Sequence, residues 1–188
     1  MRKAFVEFWT PGDSLYDRAR VDQVPYDVWL REGHIHAPPG MGVNYGFVAQ
    51  RIGELAQMFQ IDGIAFDPYR IKYMTPELDA EGVMVDLVSH GQGYAKSQQS
   101  GLWMPRSIEL LETLLTERQI EIKANPCLRW NAAGAVLDAD QKDNRIFAKR
   151  KSTGRIDGIV ALAMAVGAAG EQEGSANIEA FLMDPIIV

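Results

Sequence analysis

A chain of 188 residues, 47% apolar and 23% charged, has material for one domain with its own core. Its single cysteine, Cys127, excludes a disulfide framework and a cysteine zinc site, and fits a reducing, cytoplasmic setting. The net charge of −6 argues against a protein that coats nucleic acid generically, although a local basic patch on an acidic chain still meets phosphates.

Residues 3–9 predict a strand closed by the turn Thr10-Pro11-Gly12. Asp13 or Ser14 then caps a short helix through Arg20, and a second short helix carries Pro25 to Glu32. His34 to Ala37 is a short strand running into Pro38-Pro39-Gly40. From Tyr45 to Phe59 the positions Phe47, Val48, Ile52, Leu55, Ala56 and Phe59 recur at helical spacing. Ile61 to Phe66 is an apolar run of strand length ending on Asp67-Pro68. A helix from about Met74 to Glu81 and a strand near Val83 to Val88 follow, then a loop at Gly91-Gln92-Gly93. Ser107 to Glu117 is a helix, Ile120 to Ile122 a strand, and Asn125-Pro126 opens a short helix through Trp130. Two short strands around a polar turn at 140–144 predict a β-hairpin, and a last helix covers about Thr153 to Ala168. Beyond Gly170 the composition predicts a flexible linker, then a short extended end at Pro185 to Val188. Strands alternating with helices indicate an α/β fold with parallel pairing. No apolar run reaches spanning length, and Glu7 interrupts the first residues too early for a signal peptide.

Two carboxylates stand out. Asp67 closes an apolar strand, and the C-terminal ends of strands in open α/β sheets are where sites form. Asp157 lies early in a helix of small and apolar residues, with Ile156, Ile159, Val160, Ala163 and Met164 facing the sheet. Two roles are open to Asp157: a solvated acid offsetting the helix dipole, or a partner for Asp67 across the sheet edge. Carboxylates here suit Mg²⁺, a hard cation that keeps several waters and needs one or two acids per ion. Two such ions roughly 3.5–4 Å apart support phosphodiester hydrolysis, but sharing them normally calls for three or more acids.

A basic segment precedes Asp157. Lys142, Arg145, Lys149, Arg150, Lys151 and Arg155 are interrupted only by the acid Asp143. Phosphate contact is one reading, and a solvated hairpin edge whose lysines block edge pairing is the other. His34 and His36 share a strand face, an arrangement more often exposed than metal-binding. Gly91-Gln92-Gly93 lacks a dinucleotide-binding context, and Lys151-Ser152-Thr153-Gly154 lacks the glycine-rich turn of a P-loop. The four tryptophans read as core rather than base-stacking platforms, and Cys127 as buried.

The ordered landmarks are more specific than any one of them. Phe8-Trp9-Thr10-Pro11, Val24-Pro25-Tyr26-Asp27-Val28-Trp29, Glu32-Gly33, Pro39-Gly40, Ile64-Ala65-Phe66-Asp67 and Gly91-Gln92-Gly93 come first. Asn125-Pro126, Leu128-Arg129-Trp130 and Lys151-Ser152-Thr153-Gly154-Arg155-Ile156-Asp157-Gly158-Ile159-Val160-Ala161 follow. From residue 3 to about 168 the chain resembles the C-terminal nuclease half of tailed-phage terminase large subunits. The resemblance implies an RNase H-like mixed sheet flanked by helices, with a β-hairpin insertion, over residues 1–170, and a tail over 171–188. It also implies a two-metal endonuclease that cuts concatemeric double-stranded DNA during packaging, with Mg²⁺ or Mn²⁺ as cofactor and one of the family's metal ligands missing here. By the same resemblance Asp67 and Asp157 are catalytic metal ligands, while Lys149, Arg150, Lys151 and Arg155 contact DNA. Implied partners are the portal, the small terminase subunit and an ATPase domain, in the cytoplasm of a bacterial host; no membrane is involved.

The departures from the family are specific. No Walker motif occurs, and Asn44 stands where relatives usually carry Asp. The family's first acid lies on a central first strand upstream of the Phe-Trp-x-Pro motif, and that strand is absent here. The expected consequence is a gap between the strand at 3–9 and the strand at 61–66, with unpaired backbone on both sides. The gap is closed by shifted strands, by the segment 185–188, or by a partner. An impaired nuclease follows, the alternative being a non-catalytic prophage remnant that binds DNA or packaging proteins.

Overall fold

Apolar runs bounded by Pro and Gly give three-residue strands here, and longer stretches of helical period give the helices between them. The computed structural model describes residues 1–69 and 71–183, with side chains up to residue 170. In chain order the elements are β1 (Arg2–Ala4), α1 (Leu15–Asp22), α2 (Tyr26–Arg31), α3 (Tyr45–Met58), β2 (Ile64–Phe66), α4 (Ile71–Ala80) and β3 (Leu87–Ser89). Then come α5 (Met104–Thr116), β4 (Ile120–Ile122), α6 (Pro126–Gly134), β5 (Leu137–Ala139), β6 (Arg145–Phe147) and α7 (Asp157–Met183).

The strands form pairs. β1 runs parallel to β4, with Lys3 opposite Glu121, and β2 runs parallel to β3, with Ala65 opposite Val88. β5 and β6 form the expected antiparallel hairpin, its loop held by Asp140, whose carboxylate accepts from the Lys142 and Asn144 N–H groups. Among the described residues no ladder joins β1 to β2. β1 and β2, the strands expected to flank a gap, are thus not paired with each other.

Several boundaries differ from the sequence reading. Of the expected 3–9 strand only Lys3 and Ala4 pair in a ladder, which begins at Arg2; Trp9 makes a single bridge to His36, which is all that forms of the expected strand at 34–37. Pro11 and the pair Pro38-Pro39 lack the donors that would extend it. α6 runs on to Gly134 rather than stopping at Trp130. α7 begins at Asp157 because Gly154, at φ +81°, breaks the chain direction just before it. It then continues helically to Met183, through residues where a flexible linker was expected. The expected extended end at 185–188 lies outside the described residues.

The main core lies between α5 and α7, with Met104, Ile108, Leu111, Val160, Ala163 and Met164 buried together. The apolar face expected on α7 is thus the buried one. A second cluster gathers Leu15, Tyr26, Trp29, Ile35 and Cys127, and burial pushes the Cys127 thiol up to about 12, leaving it unreactive. A third, small cluster of Ala49, Leu78 and Val83 joins α3 and α4. That cluster covers little of α3, so Phe47 and Phe59, two of the positions recurring at helical spacing, are exposed.

His90 ties the β2–β3 pair to the main core. It is fully buried, and its backbone N–H donates to the Phe66 carbonyl at 2.9 Å. Its Nδ1 lies 3.0 Å from the Gly91 carbonyl, so Nδ1 carries the hydrogen and Nε2, 2.8 Å from Ser107 Oγ, accepts the hydroxyl. Burial lowers the His90 pKa below its ordinary 6.5, opposed in part by the Gly91 hydrogen bond. A neutral histidine favoured by folding gives stability that is full above about pH 6.5 and declines as pH falls below it. Thermal melts from pH 7.5 down to 5.5 will show this decline, and His90→Gln will flatten it while lowering the melting temperature throughout.

Candidate metal centre and nucleic-acid groove

Asp67 follows β2 directly, where the strand ends at the open side of its sheet. Its Oδ1 accepts the Tyr69 N–H at 3.1 Å, an Asx turn that fixes the carboxylate at the strand end. The Phe66–His90 hydrogen bond just before it anchors that end to α5.

Asp157 is the first residue of α7, held from three directions. Asn131, on α6 and 2% exposed, accepts the Gly158 N–H at 2.8 Å and donates to the Cys127 carbonyl at 3.1 Å. Gly154 packs on the Trp130 ring, and Thr153 N–H donates to the Gly134 carbonyl at 3.0 Å. The short segment between hairpin and helix is thereby pinned to α6, and the Asp157 side chain, 74% exposed, points out of it.

Asp67 and Asp157 line one groove of about 1120 Å³ together with Lys149 and Arg155. Its floor is α7, whose Ala161, Ala165 and Ala169 are exposed there. One wall is β2, with the edge that β1 does not pair.

The basic segment divides in the folded chain. Lys149 Nζ lies 3.5 Å from Asp157 Oδ1, and both are exposed. Arg150 has no ion pair among the described residues and is exposed. Lys151 pairs with Asp138 within the hairpin at 2.8 Å, and Arg145 pairs with Glu112 on α5. Arg155 Nε meets Asp22, 11% exposed, at 2.7 Å, and this bond raises the Arg155 pKa. Asp22 also accepts the Tyr26 hydroxyl at 2.8 Å. Arg155 is therefore a fixed cation at the groove, whereas Lys149 and Arg150 are free to reorient.

Carboxylates are the donors a hard cation takes, and on an open groove waters can complete its shell. A shared pair of ions does not fit, for no group of three or more acidic, histidine or cysteine residues suited to a metal occurs among the described residues. His34 and His36 line one cleft, the first 3.5 Å from Glu32 and the second stacked on Trp9 at 4.9 Å, but they belong to no metal-suited group among the described residues. Asn131 escaped sequence reasoning, its one signal being a polar residue one helical turn after Cys127.

Comparison with known proteins gives the family. The family model for the terminase large subunit endonuclease domain matches residues 9–173. The chain belongs to this family. It is 37% identical over 184 residues to the terminase large subunit of Enterobacteria phage HK97, covering 97% of this chain and 35% of that protein. The crystal structure of the HK97 bacteriophage large terminase superposes with a TM-score of 0.76 at 39% identity, over 85% of this chain and 32% of that one. Protein YmfN of Escherichia coli K12 is 23% identical over 171 residues, 86% of this chain and 35% of its own length. The chain spans about a third of the length of the curated relatives it matches. The fold class expected from sequence, the RNase H-like mixed α/β arrangement of terminase nucleases, is the one found. Among the described residues no helix is long and apolar enough to cross a membrane.

Proposed function

We propose that this terminase domain is a metal-dependent endonuclease that cuts concatemeric double-stranded DNA during phage packaging in the host cytoplasm. The observation that carries this reading is the shared groove of Asp67, Asp157, Lys149 and Arg155. Asp67 and Asp157 would hold Mg²⁺ or Mn²⁺, which supplies Lewis acidity to the phosphodiester when bound. Lys149, Arg150, Lys151 and Arg155 hold the phosphates, Arg155 in a fixed place and Lys149 after leaving Asp157. The portal, the small terminase subunit and an ATPase domain are the partners this role requires.

A third acid belongs to the reading, on a strand lying between β1 and β2. The unpaired edges of both strands and the exposed alanines of α7 support such a strand. The test is plasmid cleavage with Mn²⁺ by this chain and by a version extended with an acid-bearing N-terminal strand. The extended version is expected to cut and this chain to cut poorly. An inert extended version, or one whose cutting survives Asp157→Ala, defeats the assignment.

Asp157 is already paired with Lys149, and no metal-suited group of three or more acidic, histidine or cysteine residues occurs among the described residues, which favours a second reading in which the domain binds DNA or packaging proteins without cutting. Salt-dependent DNA binding indifferent to divalent cations, with no cleavage by the extended version, is its signature.

A further inference from the structure

The two candidate ligands sit on different halves of the molecule. Asp67 belongs with β2, β3, α3 and α4, whose own core is small. Asp157 belongs with α5, α6 and α7 and the main core. Between β1 and β2, where a sheet would normally weld such halves together, there is no ladder among the described residues.

Among the described residues an ion pair between Glu7 and Arg51 crosses that seam. Glu7 continues the chain from β1 and lines a cleft together with Asp157 and Arg155. Arg51, on α3, reaches it from the other half, with Nε 3.1 and 3.2 Å from the two carboxylate oxygens and Nη2 2.9 Å from one of them. Its Nη1 donates to Glu54 at 2.8 Å, fixing the guanidinium plane from its own helix. Both side chains are largely covered, Glu7 at 21% exposure and Arg51 at 30%. Bonding to Glu7 raises the Arg51 pKa further, so the charge is permanent. A planar fork meeting both carboxylate oxygens fixes orientation as well as distance, which a lysine would not do. His90 anchors the half that carries Asp67 through α5, and the Glu7–Arg51 bond supplies a second attachment through α3.

We infer that Arg51 and Glu7 form a clamp across the unpaired seam that sets the spacing between Asp67 and Asp157. They are positioning residues, acting on the metal site through the two halves they join. The consequence for cation binding rests on the reading above; the consequence for the halves does not.

Spin labels on Met84→Cys, beside the α3–α4 core, and on Leu115→Cys, on α5, report the seam directly, because both positions are exposed and native Cys127 is buried. In a Glu54→Gln background, Arg51→Met is expected to broaden the inter-label distance distribution and weaken Mn²⁺ binding about tenfold. Exchanging the pair, with Glu7→Arg and Arg51→Glu, is expected to restore both, a rescue that a merely structural contribution from either residue would not give. Glu7→Gln, read the same way, serves if Arg51→Met fails to fold. An unchanged distribution after Arg51→Met, or an exchange that restores neither measurement, overturns the clamp. If Arg51→Met broadens the distribution but the parent protein binds no Mn²⁺, the clamp stands and the metal reading falls.

Discussion

Gly134→Ala will destabilise the domain by about 3 kcal/mol or more, the upper range for overpacking. Gly134 ends α6 and is buried, and a Cβ there would fall on the Thr153 carbonyl oxygen, with the Thr153 carbonyl carbon at 3.2 Å and Oγ1 at 3.3 Å. The obstructing atoms belong mainly to backbone, so no side-chain rotation relieves the overlap. The segment from Ala148 to Thr153 would have to move, and it is fastened by the Thr153–Gly134 bond, by Ser152 Oγ accepting the Val136 N–H, and by turns onto Ala148. That segment leads into Asp157, so the substitution also displaces a candidate ligand. Gly42→Ala, with nothing within 4 Å, is the control and should change stability by no more than about 0.5 kcal/mol. Urea melts with an unchanged slope but a lowered midpoint for Gly134→Ala alone are the expected record.

The second large effect concerns the carboxylates. In the strand-extended version, Asp67→Asn and Asp157→Asn are each expected to lower cleavage roughly 100-fold or more, and the double substitution to cost little beyond either one. Residues that hold a single ion act as a unit, because once one ligand is lost the other has no cation left to hold. Additive losses, measured as initial rates of plasmid nicking, would mean that the two acids act separately. The same substitutions should leave stability nearly unchanged, since Asp157 is mostly exposed and Asp67 is also at the surface.

The sequence made the two acids legible for different reasons. Asp67 stood out as the polar end of an apolar strand. Asp157 stood out on a helix whose other residues were small or apolar, and Ile156, Val160, Ala163 and Met164 are indeed buried. The parallel pairing, the hairpin and the lack of pairing between the first two strands were also readable, the last through family resemblance rather than periodicity. What holds the site was not. Asn131 caps α7 from another helix, Arg155 reaches Asp22 across 133 positions, and Arg51 reaches Glu7 across 44. Such contacts depend on how elements are juxtaposed, and side-chain identity alone carries no record of that. Strand lengths were overestimated for a related reason. An apolar run announces a buried segment, but a ladder needs a partner edge, and among the described residues Val6, Glu7 and Phe8 have none: the Phe8 carbonyl accepts the His36 N–H and the Val6 carbonyl accepts from Asn125 Nδ2.

The basic segment divides along the same line. Its charges were visible, but Lys151 and Arg145 spend theirs on Asp138 and Glu112, while Lys149 and Arg155 line the groove and Arg150 is exposed.

A crystal of the strand-extended domain grown with Mn²⁺ and measured at the manganese absorption edge tests the account at its root. The predicted result is an anomalous peak bonded to carboxylate oxygens of both Asp67 and Asp157, with Lys149 withdrawn from Asp157. Manganese on one of these aspartates only, or on neither, would contradict it.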